Sequence, residues 1–344
     1  MNEFIHTSVQ KYLYLVRLRS IVNRALSLFS ALIAILISLP LSANAQEWPV
    51  KPIKLIVSFP AGSSPDVVGR AIAVPLSQRL GQPVVIENRS GATGMLGANV
   101  VAKSAPDGYT FLVTSGSSMT ITVHTMASIP FDTDKDLIPV AAAARIPLFL
   151  VVRPSMGVKN YAEFIAYAKS KPGKLSYATP GNGSAPHVAT EMLKSQANFF
   201  AVHVPYRGAS PALQDLLGDV IDFAFDPGIA LNHVRAGRLV LLGVGSAKRS
   251  ILFPDTPTMQ ELGLKNFDAD TTHAFYAPAG TPFAIVEKMN KEINATLAMP
   301  SVAQQIRSIG AEPTPLSQAS LRSVLDSDRR RFGVVVKERG IKEE

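Results

Sequence analysis

Four stretches of this 344-residue chain share one pattern, an apolar, strand-like run that gives way to a loop of Gly, Ser, Thr and Pro. They are Leu55–Ser58 into Pro60–Asp66, Val84–Ile86 into Asn88–Gly97, Phe111–Val113 into Thr114–Ser118, and Leu175–Ala178 into Thr179–His187. In three of them a helix-like segment follows. Strands joined through helices run parallel and need helices on their faces. The start of a helix also offers unpaired N–H groups and a partial positive charge, so it suits an anion. Loops of small residues let a ligand come close to those groups.

The remaining elements extend the same rhythm. Ile53–Ser58 reads as a buried strand, Asp66–Leu80 as a helix, Val84–Glu87 as a strand, Gly94–Ala102 as a small-residue helix and Tyr109–Thr114 as a third strand. The long apolar run Ile138–Val152 then carries the chain elsewhere. A second set follows, with helices at Asn160–Lys169, Pro186–Gln196, Ser210–Leu217 and Ile229–Ala236. Its strands are Leu175–Ala178, Ala201–Val204, Ile221–Phe225 and Leu239–Val244. Beyond Pro254, a strand at His273–Ala277 and amphipathic helices at Pro282–Leu297 and Ser317–Glu338 return the chain to the first set. The expectation is an α/β fold of two domains, with mainly parallel sheets and helices on both faces. Residues 46–143 plus 252–344 form a discontinuous first domain and 144–251 the second, with hinge crossings near 141–151 and 243–253. Ligands sit at the carboxyl ends of strands in open parallel sheets, where all four loops lie. The two domains therefore face each other across a cleft.

The first 45 residues read as a cleavable signal peptide. Lys11, Arg17, Arg19 and Arg24 precede the uncharged run Ala25–Leu41, and Ala43-Asn44-Ala45 supplies a small-x-small cleavage site after Ala45. A single membrane anchor is the rival reading; Ser27, Ser30, Ser38 and Pro40 weaken it. With no cysteine in the chain, disulfides, thiolate metal sites, cysteine nucleophiles and a lipoprotein anchor are excluded. The exported protein is expected free in a bacterial periplasm. Of the formal charge of +8, +3 belongs to the leader and +5 remains. That excess is not gathered into a stripe, which argues against nucleic acid.

Catalytic patterns are missing. The histidines show no H-E-x-x-H or i, i+4 pairing, and no P-loop is present. Gly91-x-x-Gly94-x-x-Gly97 has the wrong first spacing for a dinucleotide fingerprint. Gly181-Asn182-Gly183-Ser184 superficially resembles a nucleophile elbow, but Ala185-Pro186 breaks the pattern. Ser184 and His187 are more simply a cap and a first-turn residue. A hydrolase using this pair is the rival from another class; no cofactor and no metal are expected.

Several motifs in order resemble the Bug-type solute receptors of tripartite tricarboxylate transporters. They include Lys51-Pro52-Ile53-Lys54-Leu55-Ile56-Val57 with Pro60-Ala61-Gly62, Gly81-Gln82-Pro83-Val84-Val85-Ile86-Glu87-Asn88-Arg89, and Ala105-Pro106-Asp107-Gly108-Tyr109-Thr110. His203-Val204-Pro205-Tyr206-Arg207-Gly208, Pro254-Asp255-Thr256-Pro257-Thr258 and Ala277-Pro278-Ala279-Gly280-Thr281-Pro282 continue the set over essentially the whole mature chain. The resemblance implies a periplasmic-binding-protein architecture of type II (Venus-flytrap) that closes on a small carboxylate and hands it to a membrane permease. It also implies a site built from the loops after the first three strands and from loops of the second domain. The chain departs from the family pattern at Gly62-Ser63-Ser64-Pro65-Asp66, Gly91-Ala92-Thr93-Gly94 and Thr271-Thr272-His273-Ala274-Phe275.

The candidate ligand contacts are Ala61, Gly62, Ser63 and Ser64 from the first loop, Gly91 and Thr93 from the second, and Ser115, Gly116 and Ser117 from the third. Gly181, Gly183, Ser184 and His187 come from the second domain, with Asp226 at the expected cleft edge and His273 as the most distinctive addition. Asp66 reads as a helix-start acid, Arg89 and Arg207 as ion-pair residues in preference to ligand contacts, and His187 more readily as a satisfied helix histidine. Together these describe a monomeric receptor for a small organic carboxylate that delivers it to the permease subunits of a tripartite transporter. A sensory receptor serving a membrane kinase is the alternative.

Overall fold

The computed structural model describes residues 2–38 and 47–342. Asn2–Ser38 form helix α1, which belongs to a separate unit, Met1–Glu47. Among the described residues no helix is long and apolar enough to cross a membrane. The end of the leader's apolar run and the Ala43-Asn44-Ala45 motif lie outside the described residues.

Trp48–Glu344 form one compact unit whose strands fall into two sheets. β1 (Ile53–Val57) leads to α2 (Ser64–Leu80), β2 (Val84–Asn88), α3 (Met95–Ala102) and β3 (Thr110–Thr114). Two short helices, α4 (Gly116–Thr120) and α5 (Thr122–Thr125), precede β4 (Leu137–Ile146), and β5 (Phe149–Val152) begins after only Pro147 and Leu148. Then come α6 (Tyr161–Ser170), β6 (Ser176–Thr179), α7 (Ala185–Ala197), β7 (Val202–Pro205), α8 (Ala209–Leu217), β8 (Phe223–Asp226), α9 (Leu231–Arg235) and β9 (Val240–Val244). β10 (Thr271–Pro278), α10 (Phe283–Leu297), α11 (Pro300–Arg307), β11 (Glu312–Pro313) and α12 (Gln318–Arg339) complete the chain.

The first sheet has the order β11-β4-β10-β3-β1-β2 and the second β7-β6-β8-β5-β9. β1 lies parallel to β2 and β3, and β6 parallel to β7 and β8. The sheets are nevertheless mixed rather than mainly parallel. β10 runs antiparallel to both β3 and β4, and β5 antiparallel to both β8 and β9. The cause is the crossing: a chain that leaves one sheet and returns must re-enter against its neighbours' direction. β4 and β10 are the paired crossing strands, running from Thr271 opposite Ile146 to Pro278 opposite Leu137 with register shifts after His273 and after Phe275.

Burial follows the sequence pattern. In β1 only Lys54 is exposed, and every residue of β10 is buried, as strands covered on both faces require. The segment after β9 stays with the second sheet longer than expected. Met259 N–H donates to Val244 O and Ala269 N–H to Gly245 O, at 2.8 and 2.9 Å. Met259, Leu264, Phe267 and Ala269 pack with Phe223 and Phe225. The chain thus regains the first sheet only at Thr271, well beyond the 243–253 crossing expected. Helix α12 touches both cores: Leu321 and Leu325 pack beside Leu112 and Tyr276, whereas Phe332 and Val336 join the Phe223 cluster.

Candidate functional site

The carboxyl ends of β1 and β3 meet through a chain of buried hydroxyls. Ser58 Oγ donates to Thr114 Oγ1 (2.6 Å), Thr114 Oγ1 to Ser118 Oγ (3.1 Å) and Ser118 Oγ to Thr93 O (2.7 Å). The three strand-end loops of the first sheet are therefore fixed to one another before any ligand arrives. Ser58, Thr114 and Ser118 were not among the expected site residues; only their place at strand ends hints at this role.

In the first loop Ser63 N–H and Oγ both donate to Pro60 O, and Gly62 N–H donates to Asp66 Oδ2 (2.9 Å). Asp66 is an internal brace, as its helix-start position implied. Burial pushes its carboxyl up, but hydrogen bonds from Arg70, Asn88 and Gly62 outweigh this and hold it below the usual range. Ser64 opens α2, is buried, and places Oγ 2.9 Å from His273 Nε2. On the other side of the ring, Gly116 N–H points to Nδ1 at 3.4 Å. With Nδ1 accepting, the ring proton sits on Nε2 and donates to Ser64 Oγ, which leaves the Ser64 O–H free to donate onward. Burial of His273 pushes its pKa down to about 3, so the ring is neutral. A Cβ on Gly116 would lie 2.6 Å from Thr272 O, so only glycine lets the start of α4 press against β10. Ser115 caps α4 by accepting from Ser117 N–H, and the two hydroxyls are 2.9 Å apart.

These groups form one wall of a small, partly open space. Ser63, Ser64, Ser115, Ser117, Thr271 and His273 supply its polar surface, with Phe59, Pro65 and Ile146 beside them. The facing wall is Leu148, Pro180, Ala185, Pro186, Ala209 and Pro227. The space measures about 30 Å³, roughly the share of one water molecule. A neighbouring recess of about 190 Å³ shares Phe59 and Pro180 and adds Gly91, Thr93, Gly181 and Arg207. A larger groove of about 1050 Å³ lies between α6 and residues 255–263, but no hydroxyl cluster or meeting of helix starts marks it.

Second-sheet residues approach from across the cleft. Thr93 Oγ1 donates to Asn182 O (2.8 Å), and Ser210 Oγ to Ala61 O (3.1 Å). Gly183 adopts φ of 67° and packs against Thr125 so closely that a Cβ would lie 2.1 Å from Thr125 Oγ1. Three expected contacts turn away from the small space. Ser184 donates to Gly181 O (2.7 Å) and caps α7 by accepting from His187 N–H. His187 accepts from Gly183 N–H (3.1 Å) and stacks on His203, which stacks in turn on Tyr177. Burial pushes His187 down to about 4, so it is a neutral brace rather than a partner for a carboxylate. Asp226 is buried and accepts from Ala230 N–H (2.8 Å). Burial pushes its pKa up to about 7 against the pull of backbone hydrogen bonds from Ala230, Gly228 and Ile229. It braces the turn after β8, and its neighbour Pro227 lines the cleft instead. Ser184 Oγ is bonded to a carbonyl and held in a cap, and His187 Nδ1 is taken by Gly183 N–H rather than by the serine. Among the described residues no group of three or more His, Asp or Glu could hold a metal ion.

The likeness to known proteins follows the same outline. The chain is 38% identical over 309 residues to protein BugT of Bordetella pertussis, covering 89% of this chain and 94% of that protein. A solved R. palustris protein with adipate superposes with a TM-score of 0.84 at 33% identity, over 86% of this chain and all but 1% of the other, a coverage of 99%. MatC of Rhodopseudomonas palustris, solved with malate, gives 0.80 at 30% identity over 84% of this chain and 100% of that one. The periplasmic binding protein BugD gives 0.82 at 29% identity, over 86% and 100%. Residues 68–341 match the sequence model of the tripartite tricarboxylate transporter family receptor. By these measures the chain belongs to the tripartite tricarboxylate transporter receptor family, a family of periplasmic solute-binding receptors rather than enzymes.

Proposed function

We propose that this receptor binds a small organic carboxylate in the cleft between the two sheets, closes on it, and presents it to the membrane permease of a tripartite transporter. The observation that carries the reading is one space lined by the start of α2 at Ser63 and Ser64, by the Ser115 and Ser117 hydroxyls, and from the other sheet by the starts of α7 and α8 at Ala185 and Ala209. Such donors stabilise a carboxylate without a counter-ion. The adipate and malate seen in related structures support the same class of ligand. Ligand contacts are assigned to Ser63, Ser64, Ser115 and Ser117, with His273 holding Ser64 in place.

Closure follows from where the ligand would sit. Residues of both sheets line one space, so a ligand that touches both sides favours the form in which they approach each other. The proposed lobes are 46–143 with 271–344 and 144–270, the second boundary being moved to where the packing changes. The moving joints are the short link at Pro147-Leu148 and the return near Asp270. In this reading the protein acts as a monomer in the periplasm after cleavage at Ala45.

Titration with adipate, malate and hexanoate tests the proposal. A bound acid raises the thermal midpoint and lowers the radius of gyration in small-angle scattering. Saturating ligand that changes neither would sink the closure model.

A further inference from the structure

The space beside Ser64 and the recess next to it meet solvent differently. Every residue lining the inner space is buried except Ser115 and Pro180, and Pro180 lines the recess as well. The recess reaches the surface, because Ala92, Pro205 and Arg207 in its wall are exposed. No lysine, arginine or carboxylate lines the inner space, and Arg207 is the one charged residue lining the recess. Contrary to the ion pair expected of it, Arg207 has no carboxylate partner among the described residues, whereas Arg70 and Arg89 are paired with Asp66 and Glu87. Asp215, the nearest acid in sequence, is engaged by the Tyr206 hydroxyl at 2.5 Å and does not line the recess. The backbone around Arg207 is nonetheless fixed. Tyr206 N–H donates to Thr179 O at 2.9 Å, and a Cβ on Gly208 would lie 2.6 Å from Pro60 Cδ, so the loop seats against the first-sheet side.

Resting on the carboxylate reading above, we propose that the recess is an entry station for the ligand, in which Arg207 captures the carboxylate before it moves past Phe59 and Pro180 to the inner space. The two places suit successive tasks. Hydroxyls and helix-start N–H groups act on contact, so they hold an acid that has arrived but do not draw one in. A full charge acts over about a Debye length, ~8 Å at physiological salt, and an unpaired guanidinium has its whole field available to an incoming anion. A charge at the rim of a binding surface changes the association rate and its salt dependence far more than the dissociation rate. The inner space offers no charge to trap the acid halfway. Thr93 and Asn182, joined by their hydrogen bond, belong to opposite walls of the recess. With that bond broken in the open form, the recess widens and Arg207 lies on the way in.

Stopped-flow mixing of the full chain with whichever of adipate, malate and hexanoate binds in calorimetric titration tests this. The chain holds no cysteine, so a fluorophore on Leu96→Cys, an exposed position packed beside Gly91 of the recess, reports arrival. In that background and at low salt, Arg207→Gln is expected to slow association about three- to tenfold and to leave dissociation within about twofold. Arg207→Lys keeps the charge and should keep the parent rate. The gap between Gln and parent should close near 1 M salt, where the Debye length falls to ~3 Å. Arg207 is exposed and unpaired, so neither change should move Tm. An unchanged association rate in Arg207→Gln overturns the entry role and leaves the carboxylate reading standing. Faster dissociation with unchanged association overturns it as well, because Arg207 would then be holding the bound ligand. If all three acids fail to bind the wild type, the carboxylate reading itself falls, and this inference with it.

Discussion

Thr93 and Asn182 join the two sides of the cleft through one hydrogen bond, from Thr93 Oγ1 to Asn182 O at 2.8 Å. The donor sits on a backbone held at φ of 48°, beside Ala92 at 46°. Such values are costly for residues with a Cβ and persist only where the surroundings enforce them. Here the Ser118 hydroxyl pins Thr93 O from the first-sheet side, so the loop is set before closure. Thr93→Val keeps the shape and removes the donor. The closed form should lose about 0.5–1.5 kcal/mol, read as ligand dissociation faster by a few-fold with little change in association. An unchanged dissociation rate would show that this bond has no part in closure.

Gly183 against Thr125 makes a stricter demand. The contact between them leaves no room for a methyl group, and the φ of 67° disfavours any side chain. Gly183→Ala should therefore hold the cleft partly open at a cost of about 1–3 kcal/mol. Ligand affinity then falls about tenfold or more, and the liganded protein keeps a larger radius of gyration than the wild type. Thr125→Ala in the same background should restore part of both. Wild-type affinity in Gly183→Ala alone would mean that the two loops need not touch when ligand is bound.

Asp226 offers a test of pH dependence. Its folded pKa is raised to about 7 from an ordinary 3.8. Between those values the folded protein holds a proton that the unfolded chain has released. The favourable contribution is thus present below pH 3.8 and is lost as pH rises toward 7. Asp226→Asn keeps an oxygen for the Ala230 N–H and has no proton to lose. Measured against wild type by urea unfolding, the variant should gain on the order of 4 kcal/mol between pH 4 and pH 8. Using the difference between the two proteins cancels the titration of His187 and His273. A constant difference across that range would place Asp226 in contact with water.

Local pattern carried much of the outline. The strand-loop-helix succession located β1 to β3 and β6 to β9, and the strand-end loops pointed to Ser63, Ser64, Ser115 and Ser117. His273 stood out because Thr271-Thr272-His273-Ala274-Phe275 departs from the family pattern. What stayed hidden depends on pairing between distant segments. The insertion of β10 between β3 and β4 is set by register across the sheet, and no local periodicity encodes it. The Ser58–Thr114 bond spans 56 residues, and each hydroxyl alone resembles any strand-end residue. His187 looked like a ligand contact by its residue type and Asp226 by its place at the expected cleft edge. Their direction was decided by Gly183 N–H and Ala230 N–H, backbone groups that the side-chain pattern does not reveal. Helix α11 was overlooked although Pro300 at its start is a recognisable signal.

The joint between the sheets is held by charges. Asp328 of α12 accepts from Arg145 of β4 at 2.8 Å and from Arg331 at 2.9 Å. Arg331 also donates to the carbonyl of Asp270, whose carboxylate accepts from Ser246 at 2.5 Å. One acid thus ties the end of the first crossing strand to the start of the second. Asp328 is only 6% exposed, and its loss leaves two guanidinium groups facing each other without their shared partner. Removing one member of a buried ion pair costs about 3–5 kcal/mol, and the partial exposure of both arginines reduces this to about 2–3 kcal/mol. Asp328→Ala should therefore lower Tm by several degrees, with the Ser64 side of the cleft intact and a carboxylate still able to bind. Asp328→Asn, which keeps the hydrogen-bond acceptor, should recover part of the loss. If Asp328→Ala melts with the wild type, the network adds no net stability and the crossing strands are held by their β4–β10 ladder alone.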